Sequence, residues 1–167
     1  SPSAMLKGLT KEIRSVLDEN GLQHVALMPA VKFAPSLYQP ARTALSKNKK
    51  SICLKPYHLP MTDRNAALTW CRKEAGAGAD LLMIKPALNC LDVIFEVKEE
   101  LSIPLVGFQP SGNYALLKIG AKNCGLNEKD LVLEELHSII RAGATKIVTY
   151  HATALCSRIG SEPLIKD

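Results

Sequence analysis

Two lysines each follow a short apolar segment, and this placement could support amine chemistry. Lys32 follows residues 24–31 and Lys85 follows residues 80–84. Apolar surroundings disfavour the charged form of a lysine and leave a nucleophilic amine, and α/β barrels keep their reactive groups at the carboxyl ends of their strands. A single lysine at a strand end is more often a solvated residue or an ion-pair partner. The pair favours imine formation with carbonyl substrates.

The elements that would position these lysines alternate between helix and strand. Strands are predicted near residues 24–28, 81–85, 104–108 and 146–150, and apolar residues at helical spacing separate each strand from the next. The first helix is predicted to include Met5 and Leu6, and Asp63 and Asn127 are predicted to cap later helices. The pattern predicts an α/β fold with right-handed βαβ units and a parallel sheet. A small open four-stranded sheet stays as the alternative.

Four β/α units amount to half of a (β/α)8 TIM barrel. We expect residues 1–167 to form a single partial barrel domain, with residues 29–61 as an active-site lid. A half-barrel would leave two edge strands with unpaired backbone groups. We therefore expect completion by a preceding segment, by a second polypeptide or by another copy of the chain.

Composition limits the other classes of function. The net charge is +5, but aromatic residues make up only 5% of the chain, so nucleic-acid binding is not expected. No apolar run is long enough for a membrane span, and no membrane partner is expected. The cysteines are odd in number and form no Cys-x-x-Cys pair, which predicts reduced thiols, no zinc site and a cytoplasmic location. A mitochondrial or plastid location stays open, because a transit peptide would precede Ser1.

Four blocks in this chain, in this order, resemble those of the porphobilinogen synthase family, also called 5-aminolevulinate dehydratase. They are Ala30-Val-Lys-Phe-Ala-Pro-Ser-Leu-Tyr-Gln-Pro-Ala-Arg-Thr-Ala44, Met83-Ile-Lys-Pro-Ala-Leu-Asn-Cys-Leu-Asp92, Gln109-Pro-Ser-Gly-Asn-Tyr-Ala-Leu116 and Ile147-Val-Thr-Tyr150. The resemblance extends over nearly the whole chain and implies the C-terminal half of the family's barrel.

The resemblance implies a condensation of two 5-aminolevulinate molecules to porphobilinogen, in tetrapyrrole and haem biosynthesis. By position, Lys85 is similar to the family's principal Schiff-base lysine and Lys32 to its second active-site lysine. Arg42 matches an arginine that helps to bind substrate carboxylate, and Ser111 and Tyr150 match residues that orient substrate. Homo-oligomeric assembly is implied as well.

The lid departs from the family pattern. Its arginine is replaced by Leu54 and its glutamine by His58, while Lys55 could offer a point charge in place of the arginine. Tyr38, Lys55 and His58 complete the candidate substrate-binding residues. No metal ligand is assigned and no cofactor is assignable in this chain, because the family's zinc or magnesium ligands have no counterpart here.

These departures keep a second function open, that of a catalytically inactive structural or regulatory subunit of the same family. A class I aldolase-like lyase would also use a strand-end lysine. It would not explain the second lysine or the blocks around Ser111 and Tyr150.

Overall fold

The computed structural model describes residues 1–2, 4–34 and 58–159, without the side chains of residues 157–159. Helices and strands alternate along this part of the chain. The helices are α1 (Leu9–Glu19), α2 (Arg64–Gly76), α3 (Leu91–Glu100), α4 (Ser111–Cys124), α5 (Glu128–Arg141) and α6 (Ala152–Ile159), with a short 3₁₀ turn at Leu88–Cys90. The strands are β1 (Ala30–Lys32), β2 (Leu82–Lys85), β3 (Leu105–Phe108) and β4 (Lys146–Val148).

The described strands form one parallel sheet in the order β1-β2-β3-β4. Each strand lies beside the next one along the chain and is joined to it through a helical connection. The predicted α/β fold with a parallel sheet is therefore confirmed, and the sheet order is that of consecutive β/α units in a partial barrel.

Helices α2 and α5 begin after the predicted capping residues, Asp63 and Asn127. The Asp63 carboxylate accepts a hydrogen bond from the backbone N–H of Ala66 at 2.9 Å, and the Asn127 side chain accepts one from Lys129 at the same distance. Both contacts satisfy backbone donors that a helix leaves unpaired in its first turn. Gly125, with φ of 65°, ends α4 in the left-handed conformation that glycine adopts without steric cost.

The predictions for the first helix and the first strand are wrong in their bounds. Helix α1 begins at Leu9, after Gly8 adopts a φ of 81°, so Met5 and Leu6 lie outside it. Strand β1 covers Ala30–Lys32 rather than residues 24–28. The chain already runs beside β2 at Pro29, whose carbonyl accepts from Met83 at 3.0 Å, but proline has no N–H to donate and regular pairing begins after it.

Strand β4 ends at Val148, two residues earlier than predicted. The chain turns at Thr149, whose hydroxyl accepts a hydrogen bond from the backbone N–H of His151 at 3.0 Å. A threonine hydroxyl that bonds to the backbone two residues further on competes with strand geometry, so Tyr150 leaves the sheet.

The sheet has two apolar faces. One face packs against side chains of the helices, among them Cys71, Ile94 and Ile139. The sheet residues of this face include Val31, Leu82, Ile84 and Leu105. Ala30, Met83 and Val106 form the buried cluster of the other face, with Phe108 packed against it. Because successive residues of a strand point to opposite faces, Lys32 and Lys85 belong to this second face.

The outer edge of β1 is partly paired, contrary to the expectation of an open edge. Lys32 O accepts a hydrogen bond from the backbone N–H of Leu59 at 2.8 Å, and Ala34 donates one to Leu59 O at 3.2 Å. Phe33 and Leu59 thereby form a parallel bridge. The segment that returns after residues 35–57 therefore covers β1 beside Lys32.

Most of the predicted lid, residues 29–61, lies outside the described residues. None of the helices in the described part combines the length and the apolar character needed to cross a membrane.

Candidate active site

The two lysines lie side by side at the ends of neighbouring strands. Lys32 and Lys85 are register partners in the parallel pair β1·β2, and each is the last residue of its strand. Neighbouring strands lie about 4.8 Å apart, so the two side chains leave adjacent backbone positions on the same face. Both lysines are half-buried. The structure thus places the two lysines that the sequence singled out at adjacent positions on one face of the sheet.

Contacts on both sides of β1 hold the backbone of this pair. Phe33 donates a hydrogen bond to Lys85 O at 2.9 Å, which joins the two strand ends directly. On the outer side, the Lys32 N–H lies 3.2 Å from the sulfur of Met5, a residue only 5% exposed. Lys32 therefore has fixed neighbours toward β2 and away from it.

An aromatic ring lies beneath the Lys85 amine. Lys85 Nζ is 3.7 Å from the centroid of the Phe108 ring, at the end of β3. The negative face of an aromatic ring attracts a cation without forming a hydrogen bond. An iminium carries the same charge as an ammonium, so the ring would stabilise either cation.

Ser111 and Tyr150 lie at the carboxyl ends of the next two strands. Ser111 is the first residue of α4, three residues after β3, and Tyr150 follows β4 and is 59% exposed. The Tyr114 ring links the two ends, with its centroid 5.9 Å from that of Tyr150 and 4.6 Å from that of His151. All four strands thus contribute predicted site residues to the same rim of the sheet.

His58 is half-buried and directly precedes Leu59, the residue that pairs with the end of β1. It therefore lies in the chain segment that passes Lys32. Tyr38, Arg42 and Lys55 lie outside the described residues.

A buried polar cluster behind the ends of β3 and β4 was not predicted. It contains the buried side chains of Gln109, Asn113, Glu135 and His151 and, bonded to Gln109, the half-buried side chain of Thr149. The Thr149 hydroxyl donates a hydrogen bond to Gln109 Oε1. Burial raises the pKa of Glu135, although the nearby amides of Gln109 and Asn113 lower it in part. Burial also lowers the pKa of His151.

The spacing of apolar residues in α5 could have identified Glu135. Val132, Leu136 and Ile139 mark the buried face of this helix, and Glu135 lies on that face at helical spacing. A carboxyl in this position needs polar partners. The available candidates were Gln109, directly after the predicted strand 104–108, and Thr149, near the end of the predicted strand 146–150.

The described residues contain no group of three or more His, Cys, Asp and Glu side chains that could hold a metal ion. Two buried thiols are also poor ligands, because burial raises the pKa of Cys71 and of Cys90 to about 12. A metal site needs the thiolate form.

Comparisons with known proteins agree on one family. The family model for delta-aminolevulinic acid dehydratase matches residues 1–158. The chain is 38% identical to the delta-aminolevulinic acid dehydratase of Bacillus subtilis, over 91% of this chain and 47% of that protein. It is also 38% identical to the enzyme of the same name from Halalkalibacterium halodurans, over 97% of this chain and 50% of that protein.

A solved structure matches as well. The delta-aminolevulinic acid dehydratase (porphobilinogen synthase) of Toxoplasma gondii, in complex with the reaction product porphobilinogen, superimposes with a TM-score of 0.85 at 37% identity. The match covers 93% of this chain and 45% of that chain. The chain thus spans about half the length of the relatives it matches. On the family match and these identities, the chain belongs to the delta-aminolevulinic acid dehydratase family.

Proposed function

We propose that this chain carries the Schiff-base lysines of a porphobilinogen synthase, which condenses two molecules of 5-aminolevulinate to porphobilinogen. The observation that carries the proposal is the register pair Lys32 and Lys85 at the rim of the sheet, with the Phe108 ring under Lys85. Two ketone substrates must be held next to each other for a carbon–carbon bond to form between them. Adjacent amines on neighbouring strands meet that requirement.

In the proposed mechanism, the neutral amine of Lys85 adds to the ketone carbon of one substrate. Loss of water from the resulting carbinolamine gives an iminium, in which the substrate oxygen has left and nitrogen is bonded to carbon. Lys32 does the same with the second substrate. The iminium withdraws electrons from the adjacent carbon, so that a proton can leave it and the carbon can attack the iminium carbon of the other substrate, whose C=N electron pair moves to its lysine nitrogen. The amino group of one substrate then displaces one lysine as the carbon–nitrogen bond of the ring forms, and elimination releases the other lysine as an amine.

The Phe108 ring supports this chemistry by stabilising positive charge at Lys85. A cation over an aromatic face gains about 0.5 to 2 kcal/mol, depending on how much water is excluded. Met83 and Val106 line the same face of the sheet and keep it apolar.

The remaining predicted residues would bind and orient the substrates. Arg42 and Lys55 would attract the substrate carboxylates, since both carry positive charge. Ser111, Tyr150, Tyr38 and His58 would donate or accept hydrogen bonds around the two lysines. Further strands, from a homo-oligomeric partner or from a completing half-barrel segment, would pair at β1 and β4.

A second function is favoured by one substitution. Leu54 stands where the family has an arginine in the lid, so a charged anchor for substrate is lost. The second candidate is a catalytically inactive family member with a structural or regulatory role.

Borohydride trapping distinguishes the two candidates. The protein is incubated with 5-aminolevulinate and sodium borohydride, and the reduced adduct is located by peptide mass spectrometry. The proposed function predicts an adduct at Lys85 that disappears in Lys85→Ala and persists in Lys122→Ala, a control at an exposed lysine of α4. An inactive subunit would give no adduct above the level at Lys122.

A further inference from the structure

The turn after β4 contains Tyr150 and begins with a threonine whose hydroxyl makes two hydrogen bonds. Thr149 directly follows β4. Its hydroxyl donates to Gln109 Oε1 and accepts from the backbone N–H of His151 at 3.0 Å. The N–H of Ala152 also donates to the carbonyl of Thr149, at 3.4 Å, and closes the same turn. Tyr150 lies inside this turn, so the direction of its backbone depends on Thr149.

Gln109 gives the turn a buried support. Its side chain is only 1% exposed, and its backbone N–H donates to Val148 O at 2.9 Å. Phe108 and Val148 are register partners at the ends of β3 and β4, so Gln109 and Thr149 are the next neighbours along the two strands. The hydrogen bond between their side chains continues the contact of β3 with β4 beyond the regular pairing. A buried amide oxygen needs a donor, which links the position of Thr149 to that of Gln109.

Aromatic contacts hold the other side of the turn. The His151 side chain is only 4% exposed, and the centroid of its ring lies 4.6 Å from that of Tyr114 on α4. The Tyr150 ring lies 5.9 Å from the same Tyr114 ring, at an interplanar angle of 49°. Aromatic pairs attract at centroid distances of about 4.5 to 7 Å. Because α4 begins at Ser111, the turn lies against the helix that carries the other predicted orienting residue.

From these contacts we propose that Thr149 is a positioning residue, whose hydroxyl sets the turn that presents Tyr150 to the substrate. The inference rests on the proposed function, in which Tyr150 orients substrate. It assigns no contact with substrate to Thr149. Lys32 and Lys85 lie on other strands, β1 and β2, so imine formation at Lys85 does not require this turn.

The test compares Thr149→Val with Thr149→Ser in the full chain, and Thr145→Val is the matched control. Valine has the shape of threonine but no hydroxyl, whereas serine keeps the hydroxyl as a donor and an acceptor. Thr145 precedes β4, at the end of the strand opposite to Thr149, and its hydroxyl donates to Leu105 O in β3 at 3.1 Å. The control therefore removes a hydrogen bond between the same two strands, away from the candidate site.

The expected losses differ among the three variants. Thr149→Val should lower kcat for porphobilinogen formation about 10- to 100-fold, because displacements of about 1 Å in orienting groups have effects of this size. Thr149→Ser should keep at least about a third of the starting kcat, since both hydrogen bonds can still form. Thr145→Val should leave kcat near the starting value, and borohydride capture at Lys85 should stay at the starting level in all three. Equal kcat for Thr149→Val and Thr145→Val would overturn the inference, and so would a loss of Lys85 capture that matches the loss of kcat.

Whether Thr149 acts through Tyr150 is decided by combining substitutions. Tyr150→Phe removes the phenol hydroxyl and keeps a ring that can pack against Tyr114. In that background Thr149→Val should lower kcat less than about 3-fold, because the group that it displaces is already lost. A loss as large as in the starting protein would show that Thr149 acts through other groups and would overturn the inference.

A second readout does not require turnover. The His151 N–H should exchange with solvent about 3- to 10-fold faster in Thr149→Val than in Thr149→Ser, because the turn opens more readily without its acceptor. Equal exchange rates would contradict the inference even if kcat fell. Absence of any Lys85 adduct in the unmodified protein would instead refute the proposed function, and the exchange of the His151 N–H would then decide alone whether Thr149 holds the turn.

Discussion

Replacing Gly107 by alanine should destabilise the protein, because no space exists for a methyl group there. Gly107 lies in β3, between Val106 and Phe108. A Cβ atom would lie 2.5 Å from Ile139 Cγ2 and 3.1 Å from the Cβ of Ala87, and both of these neighbours are fully buried. Contacts under 3 Å require one side to move.

The expected magnitude follows from two opposing effects. Overpacking a buried site costs about 1 to 3 kcal/mol. The substitution also restricts the backbone of the unfolded chain, which raises the free energy of unfolding by about 0.4 to 1 kcal/mol. The net decrease in the free energy of unfolding should be about 1 to 2 kcal/mol, which lowers Tm by about 2 to 8 °C for a chain of this size. Urea unfolding followed by circular dichroism measures it.

Gly120→Ala is the matched control. Gly120 lies within α4, and nothing is found within 4 Å of a Cβ built at that position. The same substitution there should raise stability by about 0.5 to 1 kcal/mol, because alanine is the better helix former. If Gly107→Ala also raised stability, the packing of β3 against α5 described here would be wrong.

A double-mutant cycle tests whether Ile139 is the side chain that obstructs the new methyl group at position 107. Ile139→Ala removes the methyl group that lies closest to the new Cβ. In that background Gly107→Ala should cost little or should fill part of the cavity, so the two changes should couple by at least about 1 kcal/mol. Additive effects would show that Ile139 is not the obstacle.

Three further predictions concern single groups. Burial raises the pKa of Glu135, so the folded protein is most stable while this carboxyl is protonated, and its free energy of unfolding falls as the pH rises through the raised pKa. The increase in the free energy of unfolding caused by Glu135→Gln should therefore grow from pH 4.5 to pH 8 in urea unfolding. A difference that stays constant with pH would contradict this prediction. Iodoacetamide at pH 8 should label the exposed Cys124 and spare Cys71, whose pKa is about 12, until the protein unfolds. Asp63→Ala should cost about 1 kcal/mol in urea unfolding by removing the cap on Ala66, whereas Asp63→Asn should cost less.

The sequence predicted the sheet because its signals are local. Alternating apolar runs and helical spacing report strands and helices residue by residue, and Asp63 and Asn127 cap helices where expected. The bounds of β1 were wrong because the chain turns at residues 22–25, where the Val25 N–H donates to Leu22 O at 3.0 Å, and because Pro29 has no N–H for regular pairing. The bound of β4 was wrong because Thr149 bonds to the backbone instead of continuing the strand.

The candidate site also contains residues that the sequence could predict and residues that it could not. Lys32 and Lys85 could be predicted, since each ends an apolar run and parallel strands align their ends. The cluster around Glu135 could not be assembled from spacing alone, because Gln109, Glu135 and Thr149 come from three separate segments. Their contact depends on how α5 packs on the sheet.

The most direct test of the central claim is the position of the reduced adduct formed with 5-aminolevulinate and borohydride. The structure places Lys85 beside Lys32 and over Phe108. Peptide mass spectrometry should therefore find the adduct at Lys85, at a level far above that at exposed lysines such as Lys122. Labelling distributed evenly over the surface lysines, with none in excess at Lys85, would contradict the claim.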